Sequence, residues 1–123
     1  MLDHLSIQCA DVAASAAFYD AVLRPLGGGR IMEEGAAIGY GIEPMADFWI
    51  APRNTGVGFC ESHIAFAAAD RAAVQAFFDA GVSAGAEVLH PPQLWPEYDP
   101  NYYGAFLRDP DGNNVEAVSR GPS

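Results

Sequence analysis

The chain of 123 residues contains few cysteines and has no long apolar segment. Cys9 and Cys60 are too few and too far apart for a disulfide scaffold, and we expect Cys9 to be a small buried residue in a strand. No apolar run approaches the length that spans a bilayer, and the N-terminal stretch MLDHLSIQ lacks the pattern of a signal peptide. We therefore expect a cytoplasmic protein.

Basic residues are also scarce, since 6 stand against 16 acidic residues and give a formal net charge of -10. This balance would repel nucleic acid and anionic membrane surfaces, so we expect neither as a partner. The chain contains no phosphate-binding glycine loop, Cys-x-x-Cys pair or nucleophile elbow. Half of the residues are hydrophobic, which is enough for a proper core.

An internal repeat is the strongest feature of the sequence. Residues 4–21 read HLSIQCADVAASAAFYDA, residues 63–80 read HIAFAAADRAAVQAFFDA, and nine of the eighteen positions are identical at an offset of 59. Four identities that are not alanine carry most of the weight, namely His4/His63, Asp11/Asp70, Phe18/Phe77 and Asp20/Asp79. One such module would bury only a thin core. We predict a single domain over 1–123, with module 1 at 1–54 and module 2 at 60–120.

Each module reads as a strand, a helix and three further strands, which predicts an α+β fold. In module 1, the predicted elements are a strand over 2–9, a helix capped by Asp11 that stops at Gly27–Gly29, and strands near 30–34, 36–41 and 46–51. In module 2, they are a strand over 61–68, a helix from Asp70 to Gly81, and strands over 86–90, 103–108 and 114–118. Residues 91–102 are predicted to be a loop, and DPDGN at 109–113 a turn.

Three residues form a candidate metal set. His4 and His63 hold equivalent places in the repeat, on the strand face opposite the large apolar residues, and Glu116 lies in the middle of the last predicted strand. Two imidazoles and a carboxylate are a recognised ligand set for a divalent metal, and they do not identify which metal. The alternative is that both histidines are ordinary polar surface residues and that Glu116 faces solvent at a sheet edge.

Other residues are candidates for contact with a small molecule. Ser6 shares the face of His4, and the predicted loop and its end supply Trp95, Tyr102 and Tyr103, which could stack on an apolar or aromatic ligand. Packing of these aromatic residues on the protein itself or on a second subunit is the alternative. His90 precedes two prolines and is expected at the surface, with the mouth of a cavity as the alternative.

The tail YYGAFLRDPDGNNVEAV and the opening DHLSIQCADVAASAAFYDAVL resemble the vicinal oxygen chelate superfamily, which includes glyoxalase I, extradiol dioxygenases, fosfomycin-resistance enzymes and bleomycin-binding proteins. The resemblance covers the whole chain. It implies two βαβββ modules in tandem, whose mixed sheets form a half-barrel cavity around a pseudo-twofold axis. It also implies a homodimer, and it matches His4, His63 and Glu116 to three metal positions of the family.

The sequence departs from the family at a fourth position. Glyoxalase I-like members have a glutamate near the end of the last strand of the first module, where this chain has Trp49 or Ile50 within DFWIAP. Neither residue can bind a metal, and Asp47 shares the face of Trp49 without standing at the position.

Two functions are consistent with this pattern. In the first, two vicinal oxygens of a small organic substrate chelate a divalent metal (Fe, Mn, Zn, Ni or Co) that the protein holds. The protein would then be an enzyme of the lyase, isomerase or dioxygenase type, such as a lactoylglutathione lyase-like protein. In the alternative, the protein is a metal-free small-molecule binding protein of the bleomycin-resistance type, with Trp49, Trp95 and the tyrosines lining a groove. The fold alone does not choose between them.

Overall fold

The computed structural model describes residues 1–122, which contain two α-helices, one 3-10 turn and eight strands. Module 1 consists of β1 (Leu5–Cys9), α1 (Val12–Leu23), the 3-10 turn (Arg24–Leu26), β2 (Gly29–Glu34), β3 (Ala37–Ile42) and β4 (Met45–Pro52). Module 2 consists of β5 (His63–Ala67), α2 (Arg71–Ser83), β6 (Val88–Leu94), β7 (Tyr103–Arg108) and β8 (Asn114–Ser119). The predicted order of elements is confirmed in both modules.

The strands form two four-stranded mixed sheets with the same topology. The strand order is β1-β4-β3-β2 in sheet A and β5-β8-β7-β6 in sheet B. β1 pairs with β4, and β5 with β8, in parallel, and the remaining neighbours are antiparallel. The predicted α+β fold of tandem βαβββ modules is therefore confirmed, and the sheets do not close into a barrel. β1 is an outer strand of sheet A and β5 an outer strand of sheet B, and within residues 1–122 each is paired on one side only.

Both helices begin at the aspartates that the repeat predicted. Asp11 has an extended backbone, and its Oδ1 accepts the N–H of Ala14 at 3.1 Å. Asp70 does the same for Ala73 at 2.8 Å. An aspartate in this position satisfies one of the free N–H groups of the first turn, which stabilises a helix by about 1 kcal/mol.

The predicted end of α2 at Gly81 is wrong. The helix continues to Ser83, and the left-handed residue that follows it is Gly85, with φ of 85°. Gly81 is buried inside the helix, where a Cβ would lie 2.2 Å from Cδ1 of Leu107 on β7. The glycine therefore allows close contact between helix and sheet.

The second strand of module 2, β6, is also longer than predicted. β6 reaches Leu94 and runs through Pro91 and Pro92, which were assigned to the loop. Proline lacks an N–H and is tolerated at sheet edges and bulges. β6 is such an edge, and its pairing with β7 is irregular between His90 and Gln93.

The two modules share one hydrophobic core. Phe48 of β4 meets Phe66 of β5 edge-on, with ring centroids 5.2 Å apart, and Tyr19 of α1 lies 4.9 Å from Phe48. The helices contact each other and cover one face of each sheet, while the opposite faces carry exposed residues such as Ser6 and His63. Cys9 is buried as predicted. No helix of the described chain has the length and apolar character needed to cross a membrane.

Candidate functional site

The predicted metal ligands lie on the open faces of two different sheets. His4 precedes β1 of sheet A, whereas His63 and Glu116 belong to β5 and β8 of sheet B. Across residues 1–122, no group of three or more His, Cys, Asp or Glu side chains is arranged to hold a metal ion. One chain therefore brings His63 and Glu116 together and keeps His4 apart from them.

His63 and Glu116 form the centre of the site on sheet B. The parallel register pairs His63 with Asn114 and Ala65 with Glu116, so the two side chains are diagonal neighbours on one face. Nε2 of His63 lies 2.8 Å from Oε1 of Glu116. The His63 side chain is 56% exposed and the Glu116 side chain only 1%. A buried carboxylate needs partners, and the accessible imidazole is one of them.

Tyr102 is the second partner of Glu116. Its hydroxyl donates to Oε2 in a short hydrogen bond, and the tyrosine is itself buried. Burial, followed by the bond to the Glu116 carboxylate, raises the pKa of Tyr102 to about 12. The phenol therefore stays protonated at neutral pH and acts as a hydrogen-bond donor to Glu116. Both carboxylate oxygens have a partner within the chain.

An aromatic surface, formed by Phe106, His90 and Trp95, extends from this pair across sheet B. Phe106 stands opposite Glu116 in the register, with its ring 5.9 Å from that of His63. His90 lies edge-on to Phe106 at 5.6 Å and to Trp95 at 4.9 Å. Phe106 was not among the residues predicted for the site, and His90 is exposed, as expected from the sequence. A hairpin closed by DPDGN places Phe106 opposite Glu116, so counting back from the turn would have found it.

The loop after β6 folds back on the sheet. The backbone N–H of Trp95 donates to the carbonyl of Tyr102 at 2.8 Å, and its indole N–H donates to the carbonyl of Gly104 at 3.2 Å. These bonds hold Trp95 against β7, so the indole packs on the protein itself. Tyr98 packs its ring 5.1 Å from that of Tyr102 and remains 62% exposed.

Tyr103 lies on the other face of β7 from the candidate site. Strand alternation turns it toward the helices, where it packs against the core and lies 5.2 Å beneath the guanidinium of Arg71. Of the residues predicted to touch a ligand on this sheet, Trp95 and Tyr102 accompany Glu116, and Tyr103 does not.

The open face of sheet A carries the remaining candidates. His4, Ser6 and Trp49 line a groove of about 740 Å³. Nδ1 of His4 lies 2.8 Å from Oδ1 of Asp3, an arrangement that orients the imidazole and leaves Nε2 free. The Trp49 ring lies over Gly39, where a Cβ would come within 2.7 Å of the indole. Trp49, one of the two residues expected at the place of the family's fourth ligand, thus lines the groove with its indole.

Comparisons with known proteins give a consistent result. Residues 1–117 match the family model described as Glyoxalase/Bleomycin resistance protein/Dioxygenase superfamily. A search of curated proteins by sequence found no significant match.

Solved structures share the fold over nearly the whole chain. A glyoxalase/bleomycin resistance protein from Albidiferax ferrireducens T118 is 31% identical, with 94% of this chain and 96% of that chain covered and a TM-score of 0.83. A lactoylglutathione lyase from Agrobacterium tumefaciens is 21% identical, with coverage of 94% and 90% and a TM-score of 0.69. A glyoxalase-related enzyme from Fulvimarina pelagi is also 21% identical, with coverage of 97% and 87% and a TM-score of 0.70.

The repeat, the two mixed sheets and the family match together lead to one conclusion: the chain belongs to the glyoxalase/bleomycin resistance protein/dioxygenase superfamily.

Proposed function

We propose that this protein is a metal-dependent enzyme of the lyase, isomerase or dioxygenase type, which acts on a small organic substrate with two neighbouring oxygens. We further propose that it works as a homodimer whose two active sites each take residues from both subunits. The observation that carries the proposal is the meeting of an accessible imidazole with a buried carboxylate, His63 Nε2 and Glu116 Oε1, 2.8 Å apart.

The donor atoms on sheet B suit a divalent cation. A neutral imidazole nitrogen and a carboxylate oxygen are ligands for Fe, Mn, Zn, Ni and Co, and here they converge on one point of an open face. His4 supplies the same donor type on sheet A, with its Nε2 free because Asp3 engages Nδ1. Two ligands from one chain and one from another complete the three-ligand set, with the remaining coordination positions left to substrate or water.

The third ligand would come from a second copy of the chain, because one chain places His4 on sheet A and His63 and Glu116 on sheet B. β1 and β5 are unpaired edges of their sheets within the described chain, and an exposed edge readily pairs with another strand. Sheet A also exposes large apolar side chains, namely Met32, Ile42 and Met45. In a twofold dimer with β1 of one subunit beside β5 of the other, His4 of one subunit would face His63 of its partner.

A cation held there would polarise the two oxygens of a chelating substrate and stabilise negative charge that develops on them. The residues of the chain would position the cation and exclude water from it. His63 and Glu116 define the position of the site, and Phe106 and Trp95 exclude water from one side of it. Trp49 and Ser6 of the partner subunit would form the opposite wall.

Metal binding by purified protein is the first test. We expect the wild type, stripped of metal and titrated with Fe, Mn, Zn, Ni or Co, to bind at least one ion per chain. His63→Ala and Glu116→Gln should lower the affinity by orders of magnitude, because each removes a ligand atom. His90→Ala should leave metal affinity close to the wild-type value, since His90 contacts only Trp95 and Phe106 among the aromatic residues described. A wild type that binds no metal above background would overturn the enzyme proposal.

Mixing two inactive variants tests the shared site. His4→Ala and His63→Ala homodimers would each have two incomplete sites. In a mixed dimer, the intact His4 of one chain meets the intact His63 of the other, so random mixing should restore roughly a quarter of the metal sites by symmetry. Recovery after denaturation and joint refolding, measured as bound metal, supports a site between subunits. If the dimer exchanges its chains and no metal site returns, the site is built within one chain.

A metal-free binding protein is the second candidate, and one observation favours it. Both oxygens of Glu116 already have hydrogen-bond partners, His63 and Tyr102, so the carboxylate is satisfied without a cation. In that case, the aromatic residues of sheet B and Trp49 would hold an apolar or aromatic ligand. Ligand binding by the chelator-treated protein that is unchanged in Glu116→Gln would establish this function in place of the first.

A further inference from the structure

We infer that Tyr102 is a positioning residue that aims the Glu116 carboxylate at the ligand site. This inference rests on the proposed function, because it assigns Glu116 the role of metal ligand. Tyr102 would not touch the cation. It would hold Oε2 so that Oε1 faces His63 and the open side of the sheet.

The carboxylate is fixed by donors at both ends. His63 engages Oε1 at 2.8 Å, and the Tyr102 hydroxyl donates to Oε2. His63 is accessible and would turn toward a cation, which leaves Tyr102 as the buried partner that remains. A glutamate has several rotatable bonds, and one directed hydrogen bond to a buried hydroxyl removes much of that freedom.

Gly104 makes room for this pair. A Cβ at position 104 would lie 3.1 Å from Oε2 of Glu116 and 3.3 Å from Cε1 of Tyr102. Both distances are tighter than ordinary contacts, so a side chain at position 104 would require Glu116 or Tyr102 to shift by a few tenths of an ångström. Glycine at this point of β7 therefore leaves space for the two groups.

Tyr102 is itself held in place from several directions. Its backbone N–H donates to the carbonyl of Asp99 at 3.1 Å, and its carbonyl accepts the N–H of Trp95 at 2.8 Å. The guanidinium of Arg120 lies 4.9 Å from its ring centroid and 3.7 Å from the carboxylate of Asp99. The phenol therefore approaches Glu116 from a braced loop, as a group that positions a ligand must.

Residues that orient a metal ligand affect affinity without contacting the ion, and removal of such a partner typically costs about 10- to 100-fold in metal affinity. Tyr102→Phe removes only the hydroxyl and keeps the ring contacts with Arg120 and Tyr98. We expect a loss of metal affinity in that range, measured by calorimetric titration of the purified full-length protein with the ion that the wild type binds best. Tyr98→Phe is the matched control, because it removes a phenol hydroxyl from the exposed ring of the same loop.

A second measurement does not depend on metal. In the metal-free protein labelled with ¹⁵N-histidine, the ring nitrogens of His63 report its contact with Glu116. A carboxylate released by Tyr102→Phe should move, and the His63 signals should shift with it. The same signals should stay in place in Tyr98→Phe. Thermal unfolding of each variant verifies that it is folded.

Gly104→Ala tests the position of Glu116 without removal of its hydrogen-bond donor. It leaves the Tyr102 hydroxyl intact but crowds Oε2, so a positioning role predicts the same His63 shift and the same direction of change in affinity. If Tyr102→Phe and Gly104→Ala both leave the His63 signals unchanged, Tyr102 does not position Glu116 and the inference is overturned, whatever the metal titration shows. If the His63 signals shift but the wild type binds no metal, the positioning contact stands and the proposed metal function fails.

Discussion

Tyr19 donates its phenol hydrogen to Oδ2 of Asp109 across 2.6 Å, and this bond joins the helix of module 1 to the last turn of module 2. Asp109 begins the DPDGN turn and is buried. Its other oxygen, Oδ1, accepts the backbone N–H groups of Asp111 at 3.0 Å and Asn113 at 2.8 Å. The carboxylate thus organises its own turn and binds a side chain 90 residues away.

Asp111 of the same turn contacts the start of α1. Its Oδ1 accepts the N–H of Ala10 at 2.9 Å, and its Oδ2 accepts the hydroxyl of Ser15 at 3.3 Å. These two bonds supplement the cap that Asp11 provides. The DPDGN segment, which resembles that of the family, therefore has a structural role in this chain: its aspartates hydrogen-bond module 2 to module 1.

Loss of the Tyr19 hydroxyl should destabilise the protein. Tyr19→Phe leaves Oδ2 of the buried Asp109 carboxylate with only the side-chain amide of Asn113 as donor, at 3.0 Å. Loss of a hydrogen bond to a charged group costs about 1.5–3 kcal/mol. The free energy of unfolding from a urea titration measures this loss. Tyr98→Phe, which changes an exposed residue, should stay within about 0.5 kcal/mol of the wild type. Equal stability of the two variants would mean that the bond contributes nothing.

Alkaline pH should lower the free energy of unfolding through the same tyrosine. Burial, and then the neighbouring Asp109 carboxylate, raise the pKa of Tyr19 far above its ordinary value of about 10. Because the folded-state pKa is the higher one, the stabilisation is complete below pH about 10 and decreases as the pH rises above it. Unfolding free energies between pH about 8 and 12 should therefore fall less steeply for Tyr19→Phe than for the wild type. Parallel curves would contradict this assignment.

Asp20 should make the protein modestly sensitive to acid. Arg30 binds its two oxygens at 3.0 and 2.8 Å, and Tyr40 donates to Oδ1 at 2.9 Å. The Arg30 bonds are the main cause of a lowered Asp20 pKa. This stabilisation is present above pH about 4 and is lost as the pH falls through the lower folded-state value.

The internal repeat provides a matched control for this pair. Because the Asp20 side chain is 39% exposed, Asp20→Asn should cost at most about 1 kcal/mol at neutral pH. Asp79 is the repeat equivalent, and it receives a hydrogen bond from the uncharged side chain of Gln75 at 3.0 Å. Asp79→Asn should therefore have the smaller effect in chemical denaturation. The opposite ranking would show that the Arg30 pair is not a stabilising contact.

A methyl group at position 81 should disrupt the contact between α2 and sheet B. Gly81→Ala places a Cβ 2.2 Å from Cδ1 of Leu107, and relief of such overpacking costs about 1–3 kcal/mol. Gly29→Ala meets nothing within 4 Å and should be nearly neutral. Thermal unfolding of both variants checks this, and a Gly81→Ala protein as stable as the wild type would show that Leu107 adapts without cost.

Much of the fold could be predicted from local patterns. The alternation around Ile7 and Ile64, the capping aspartates at 11 and 70, and the DPDGN turn act within a few residues, and the structure confirms the elements that they predict. Because the two segments repeat at an offset of 59 residues, the order of elements predicted for one module also predicted the order in the other. By contrast, Gly81 was assigned as a helix end because a local rule cannot detect Leu107, 26 residues away in the chain.

The candidate site was predictable only in part, for the same reason. The residue types and the family resemblance selected His63 and Glu116, which the fold places side by side through the parallel pairing of β5 and β8. The hydrogen bond from Tyr102 to Glu116 and the separation of His4 from them within one chain could not be predicted from the sequence. Those relations depend on how a loop folds back and how two sheets pack around shared helices.

The sequence by itself determined the repeat, the order of strands and helices, and the chemistry available at each position. Tertiary structure decided which of those groups meet, because the packing of Phe48 on Phe66 and of α1 on α2 orients the two sheets as units. Hydrophobic packing is non-directional and depends on the whole core, so it cannot be read from the spacing of a few polar residues. For that reason, His63 and Glu116 are neighbours in one chain, while His4 stands on the other sheet.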